Sequence, residues 1–347
     1  MGNDTQPKVV TQEDVARLAG VSRSIVSYVI NKGPRSVSPE TRQRVLDAIK
    51  TLGYRPNKYA QLLSSAADTV AEKYIGIILA GKYMFQRPYY GHILASIHEH
   101  AHQHDRHIRF IRVFDDFNDP TLFNELIHPD EIGGAILLGL DQALTRTSDH
   151  ALIEQIIRRV ARVVCVEWEW PGIPSVQFDR QDAAYQATRH LLDIGRKHIA
   201  YIGPQDRRLH GHHQALWERG ISPSEALTRF AVAPEWGYAC CKELLSAGHP
   251  LDAICTGTDE VAIGVLKCLH EHGLPVPQEV AVASIDNLDI SAYLVPSLTT
   301  VDIPKNDIGQ QAISALLAHP DNGHPPAVSI TVRTQLLIRD STQSANP

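Results

Sequence analysis

The apolar positions along this chain change their period once. Between Thr11 and Gly53 they recur at helical spacing in three short stretches separated by turn residues. Thr11-Gln12-Glu13-Asp14 reads as a capping box, in which the Thr11 hydroxyl accepts from an amide of the first turn and Asp14 reaches back. Val15, Leu18 and Ala19 then fall on one face of a short helix, and Gly20 supplies a turn where a positive φ costs little. Ser22 caps a second helix with Val26, Val29 and Ile30 inward, ended by Asn31-Lys32-Gly33-Pro34. Pro39 opens a third, whose stripe is Val45, Leu46, Ile49 and Leu52 and whose stop is Gly53.

From Tyr74 onward the pattern alternates apolar strands with amphipathic helices. YIGIILAG is a strand and Tyr90 to His104 a helix; HIRFIRVF, GGAILLG and VVCVEW are further strands, with a helix near Leu152–Arg159. The alternation restarts after SVQFD with a helix to Ile194, and HIAYIG, RFAVA, DAICTG and VAVASID are separated by helices. Strand–helix repeats predict parallel sheets with right-handed crossovers, and so many strands predict two lobes. The expected fold is an all-α helix-turn-helix head followed by an α/β body of two parallel-sheet lobes. Ligands of such sheets bind beyond the carboxyl ends of the strands, which puts a cleft between the lobes. Glu167 and Trp168 follow VVCV, Arg208 follows IGP, Thr258 and Asp259 follow DAICTG, and Asp286 follows VAVASI. With Tyr89, the set Glu167, Trp168, Arg208, Thr258 and Asp286 predicts an effector site. A carboxylate and a guanidinium for hydroxyls, with an indole to stack on, suit a sugar or another polyhydroxy ligand.

Charge adds a second partner. Residues 8–60 hold ten Lys/Arg against four Asp/Glu, a net +6, so the remainder of the −6 chain carries −12. A basic head on an acidic body predicts that the head meets a polyanion. In a helix-turn-helix the start of the second helix enters the DNA major groove, which selects Ser22, Arg23 and Ser24, with Ser27 and Tyr28 one turn on. Arg23 has the fork that pairs with guanine, and Ser24 reaches a base edge or a phosphate. After the head, Tyr54-Arg55-Pro56-Asn57-Lys58-Tyr59-Ala60-Gln61-Leu62-Leu63 predicts a helix of barely two turns capped by Asn57. Such a helix needs a partner. Either two copies meet on DNA, with Leu63 wedged into the minor groove, or the segment is a linker.

Composition excludes little else. The hydrophobic fraction of 43% supports packed domains, no apolar run approaches a membrane span, and the start has no signal-peptide profile, so a cytoplasmic, nucleoid-associated protein is expected. The five cysteines form no CxxC and read as buried small apolar residues. No catalytic constellation or cofactor motif appears, so neither enzyme activity nor a cofactor is expected. One exception competes: His98-Glu99-x-x-His102 has the spacing of a zinc hydrolase, in which two histidines hold the metal and the glutamate is the base. The same stretch continues to His104 and His107, as a solvated helix face would, and a second cluster comprises His210, His212 and His213. A plain solute-binding protein is a further alternative, against which the basic head argues.

The stretch VTQEDVARLAGVSRSIVSYVINKGPRSVSPETRQRVLDAIKTLGYRPNKYAQLL resembles the head and hinge of the lactose/galactose-repressor (LacI/GalR) family of bacterial transcription regulators. FDRQDAAYQATRHLLDIGRKHIAYIGP, TDEVAIG, GLPVPQEVAVASIDN and PSLTTV follow its pattern in order, so the resemblance spans nearly the whole chain. It implies a homodimer on a pseudo-palindromic operator in double-stranded DNA, hinge helices that order there with Leu63 at the centre, and a periplasmic-binding-protein-like body that binds a small-molecule effector. By motif position it assigns base contacts to Arg23, Ser24 and Tyr28 and hinge contacts to Asn57, Ala60, Gln61 and Leu63; Thr11 and Lys58 complete the DNA-facing set. It supports Arg208, in Arg208-Leu209-His210-Gly211, and Asp286 as effector ligands. The chain departs from the family at Tyr28 and Gln61, where Arg is frequent, at Thr258, where Asn is usual, and at Ile303, where a polar residue is common. The expected domains are the helix-turn-helix at 8–56, hinge and linker at 57–72, and the effector-binding body at 73–340. Within the body, one lobe comprises about 73–169 and 303–324, the other about 170–302 and 325–340.

Overall fold

The computed structural model of the chain describes residues 10–30, 37–52, 54, 71–318 and 328–343. The chain divides into two compact units, residues 1–70 and 71–347.

In the first unit, α1 (Gln12–Ala19), α2 (Arg23–Ile30) and α3 (Pro39–Leu52) enclose a small core of Val15, Ala16, Ala19, Val26, Val29, Val45 and Ala48. The capping box is present in both directions: Asp14 N donates to Thr11 Oγ1 at 3.3 Å and Thr11 N donates to Asp14 Oδ2 at 3.0 Å. Gly20 ends α1 at φ +64°, and its amide closes the turn onto the Ala16 and Arg17 carbonyls. Two stripe assignments change. Leu18 is 53% exposed and Leu46 45%, while the smaller Ala16 and Ala48 point inward. Helices this short approach closely only where a small side chain lies between them, so size decides between adjacent apolar positions.

The second unit holds two six-stranded sheets. The first has the order β11-β5-β4-β3-β1-β2, from β1 (Tyr74–Leu79), β2 (His107–Val113), β3 (Gly134–Leu138), β4 (Arg162–Val166), β5 (Ser175–Phe178) and β11 (Ser329–Val332), all parallel. The second has the order β12-β10-β9-β8-β6-β7, from β6 (Ile199–Gly203), β7 (Thr228–Phe230), β8 (Ala253–Thr256), β9 (Ala281–Asp286), β10 (Thr299–Asp302) and β12 (Gln335–Leu337). Only β12 runs antiparallel, against β10. The period of two sorts each strand between two cores: Ile75 and Ile77 pack on one face of β1 and Ile78 on the other, as Val164 and Cys165 do on β4. Both faces are covered by helices, so the strands read as continuous apolar runs.

The lobe boundaries move from those expected. β5 pairs with β4, and β11 pairs with β5, so the first lobe extends through Phe178 and regains the chain at Ser329–Val332. The chain thus crosses between lobes three times, after β5, after β10 and after β11. The proline and glycine of Trp170-Pro171-Gly172 read as a lobe boundary but form a tight connection inside one sheet.

Candidate functional site

In the head, the residues predicted to face DNA stand at the start of α2. Ser22, Arg23 and Ser24 are exposed, and Ser27 and Tyr28 are half-buried one turn later. Ser22 Oγ accepts from the Ile25 amide at 3.4 Å, which caps the helix, and Arg23 Nε donates to Gln12 Oε1 at 3.5 Å. Thr11 is exposed and serves as the cap of α1. Asn57, Lys58, Ala60, Gln61 and Leu63 lie outside the described residues.

In the body, the strand ends of both sheets bring Tyr89, Glu167, Arg208 and Asp286 together. Tyr89 lies in the first turn of α4 (Pro88–Gln103), whose start is set by Pro88. Glu167 follows β4 at φ +66° and Asp286 ends β9 at φ +120°, conformations that L-residues adopt only where the surroundings impose them. Arg208 sits in the first turn of α8 (Arg207–Glu218), where its Nη1 donates to Asp206 Oδ2 at 2.9 Å. Gly211 explains the R-x-x-G spacing. A Cβ there would stand 1.9 Å from the Gln181 carbonyl of α7 (Arg180–Asp193), so only glycine lets α8 settle deeply enough to bury Arg208.

Three polar atoms in this cluster are buried without a hydrogen-bond partner: Tyr89 Oη, Glu167 Oε1 and Arg208 Nε. The Tyr89 phenol and the Glu167 carboxylate face one another without completing a well-aligned bond. Burial raises the pKa of Glu167, an effect that Arg180 and Arg208 only partly counter. Burial and then the Asp259 carboxylate push Asp286 well above the usual range, against the pull of Arg208 and Lys305. Burial disfavours the Arg208 cation, but Asp206 and Asp286 outweigh it and its pKa rises. Unsatisfied donors and acceptors within one desolvated cluster are costly unless a ligand completes them.

Two predicted members do not join it. Trp168 is 3% exposed, packs against Trp170 at 5.8 Å in the core beneath the first sheet, and donates its Nε1–H to the Leu137 carbonyl at 2.8 Å. Its ring is therefore part of the core and not a free stacking face. Thr258 caps α10 (Asp259–Glu271), accepting from the Val261 amide at 3.3 Å. The neighbouring Asp259 carboxylate accepts from Leu288 N, Ser291 Oγ and Thr300 Oγ1, a buried brace between α10 and β10. Ile303 is fully buried in the apolar core.

Several members were missed. Arg180 donates to the Glu167 carbonyl at 2.6 Å and to its Oε2 at 3.3 Å, and Phe178 lies beneath both guanidinium groups, 5.6 Å from Arg180 and 5.7 Å from Arg208. Both residues belong to SVQFDR, which ends a strand as the other members do; the misplaced lobe boundary hid them. Arg87 spans the lobes, with Nη2 donating to the Val232 carbonyl at 2.8 Å and Nε 3.9 Å from Glu260 Oε2.

The histidine motif is not assembled into a metal site. His98, Glu99 and His102 lie on the exposed face of α4, while His100 is turned inward onto the Ser96 carbonyl. Among the described residues no group of three or more His, Cys, Asp or Glu side chains is placed to hold a metal ion. All five cysteines are buried and free.

Comparison with known proteins agrees with this division. Residues 11–57 match the model of bacterial regulatory proteins of the lacI family, and residues 188–342 match a periplasmic binding protein-like domain. The chain is 31% identical over 348 residues to the HTH-type transcriptional repressor PurR of Haemophilus influenzae, covering 97% of this chain and 99% of that one. It is 30% identical over 342 residues to the HTH-type transcriptional regulator CelR of Thermobifida fusca, covering 95% and 98%. Among solved structures, the CelR–cellobiose complex superposes with a TM-score of 0.69 at 26% identity over 96% of this chain and 99% of that one. A lac repressor dimer bound to operator and the anti-inducer ONPF shares the fold, with a TM-score of 0.77 at 24% identity over 97% and 100%.

Proposed function

The chain belongs to the lacI family of bacterial regulatory proteins and is a DNA-binding transcription regulator, and from that premise we propose that it represses transcription as a homodimer on a pseudo-palindromic operator, under the control of a neutral, sugar-like effector. Arg23 and Ser24 at the start of α2 read bases, with Tyr28 beside them. The effector binds between the lobes, where Arg208 and Asp286 engage its hydroxyls and Tyr89 and Glu167 complete the shell. The observation that carries this reading is the set of buried unpartnered atoms, Tyr89 Oη, Glu167 Oε1 and Arg208 Nε, at the strand ends of both sheets. A ligand bearing several hydroxyl groups supplies both the donors and the acceptors they lack. The named relatives and structures, a repressor, a cellobiose complex and an operator-bound dimer, support each part.

The protein acts by binding and not by catalysis. Effector shifts the balance between two arrangements of the lobes, and operator affinity follows through linkage. Among the described residues no helix is long and apolar enough to cross a membrane, in keeping with a cytoplasmic protein that works on chromosomal DNA. The test is selection of bound sequences from a random DNA pool, followed by titration of the recovered operator with neutral sugars. A palindrome is expected, together with a sugar whose effect on occupancy disappears in Asp286→Asn while effector-free DNA affinity is retained. Sequence-independent binding, or a sugar response that survives the substitution, would overturn the respective half of the reading.

A further inference from the structure

Beside the Tyr89–Glu167–Arg208–Asp286 cluster, on the side where the chain crosses between lobes, lies a separate chamber of about 250 Å³. It is far larger than the ~10–15 Å³ that one water needs, and approaches the size of small-molecule sites. The first lobe contributes Asp141, Gln177 and Phe178, and the second Asp179, Arg180 and Arg207. The chamber and the cluster share a wall: Arg180 bonds Glu167 on one side and lines the chamber on the other, and Phe178 lies under both Arg180 and Arg208.

The polar groups around the chamber divide into those already engaged and those available. Glu169 accepts from Gln177 at 2.6 Å and from Ser329 at 3.0 Å, and Asp179 caps α7 through the Gln181 and Asp182 amides at 2.9 and 3.0 Å. Arg207 is exposed, and its guanidinium has no ion pair or hydrogen bond among the described residues. The Asp141 carboxyl likewise has no side-chain hydrogen-bond partner there, and it faces Arg180 and Asp206. One available fork of donors, one available acceptor and an aromatic wall match a hydroxylated ring. Three carboxylates around the same volume oppose an anion.

We infer that the effector occupies two adjoining subsites, one sugar unit in the Tyr89–Glu167–Arg208–Asp286 cluster and a second in the chamber between Asp141 and Arg207, so that it is a disaccharide or a comparable two-ring glycoside. This rests on the effector reading above and adds the length of the ligand. Arg207 and Asp141 set the preference for the longer ligand, because they meet only the second ring.

The test is calorimetric titration of the full-length protein with glucose and galactose, with cellobiose, maltose, lactose and melibiose, and with glucose 6-phosphate. At least one disaccharide binds about tenfold or more tightly than either of its monosaccharides. Arg207→Ala and Asp141→Asn weaken that disaccharide to within about threefold of the monosaccharide and leave the monosaccharide unchanged. A disaccharide and its monosaccharides binding equally, with neither substitution having an effect, would overturn the two-subsite assignment while leaving the effector reading intact. If no neutral sugar binds, the effector reading itself fails and the inference with it. Preference for glucose 6-phosphate that is lost in Arg207→Ala would assign the chamber to an anion and overturn the inference.

Discussion

His212 connects solution pH to the stability of the second lobe through one buried ring. Its Nδ1 lies 3.0 Å from Thr188 Oγ1, the ring packs against Tyr201 at 5.5 Å, and burial, with His213 adding to it, pushes its pKa down to about 3. The unfolded chain takes up a proton near pH ~6.5 that the native state refuses until about pH 3. Stability on this account is complete above ~6.5 and falls with acidification, by up to about 1.4 kcal/mol per pH unit inside the window. Glu167 and Asp286 act with the opposite sign: their raised pKa values let the native state keep protons that the unfolded state has released, so their contribution falls as pH rises past the ordinary carboxylate range. Comparing wild type with His212→Asn by thermal unfolding from pH 7.5 to 5 cancels the carboxyl contribution. The difference between the two is expected to shrink as the pH falls, and parallel curves would show that the ring is not held neutral. Nothing in the spacing of His210, His212 and His213 distinguished this core histidine from its exposed neighbour His210; burial on one turn of α8 does.

Between α7 and α8 the R-x-x-G motif becomes a packing rule. Gly211→Ala forces the helices apart at the Gln181 carbonyl, an overpacking cost of about 1–3 kcal/mol, and withdraws Arg208 from the cluster. The melting temperature and the effector response are expected to fall together. Gly91→Ala in α4 is the control: nothing lies within 4 Å of its added Cβ, so it is expected to be neutral or stabilising by up to about 1 kcal/mol. A Gly211→Ala protein with normal melting and normal response would detach the motif from the site. The helices of the head were legible because caps and stops are local chemistry: Thr11, Asp14, Gly20 and Pro39 act within one turn. The exposure of Leu18 and Leu46 was not, since it depends on which neighbour each helix meets.

Across the second unit, the lobes are joined by three chain crossings and by side chains that bridge the cleft. Arg87 reaches the Val232 carbonyl and Glu260, and His92 Nε2 lies 3.6 Å from Asp289 Oδ2. Arg87→Ala removes the first bridge, so effector is expected to enter and leave faster, by about three- to tenfold in stopped-flow measurements if the bridge contributes ~0.7–1.4 kcal/mol. Unchanged rates in both directions would mean that the bridge does not hold the cleft.

The sequence by itself determined the basic helix-turn-helix head, the two parallel-sheet lobes and four effector-site candidates at strand ends, because caps, periods of 3.6 and 2, and the alternation of strand and helix are written within a few residues. The tertiary structure alone decided where the lobes divide, since β5 and β11 join a sheet through partners far away in the chain. It also decided that Trp168 is core and Thr258 a cap, that Arg180 and Phe178 belong to the site, and that a chamber adjoins it. Strand order and burial are properties of long-range packing, and a residue after a strand faces the cleft or the core according to neighbours that only the folded chain brings beside it.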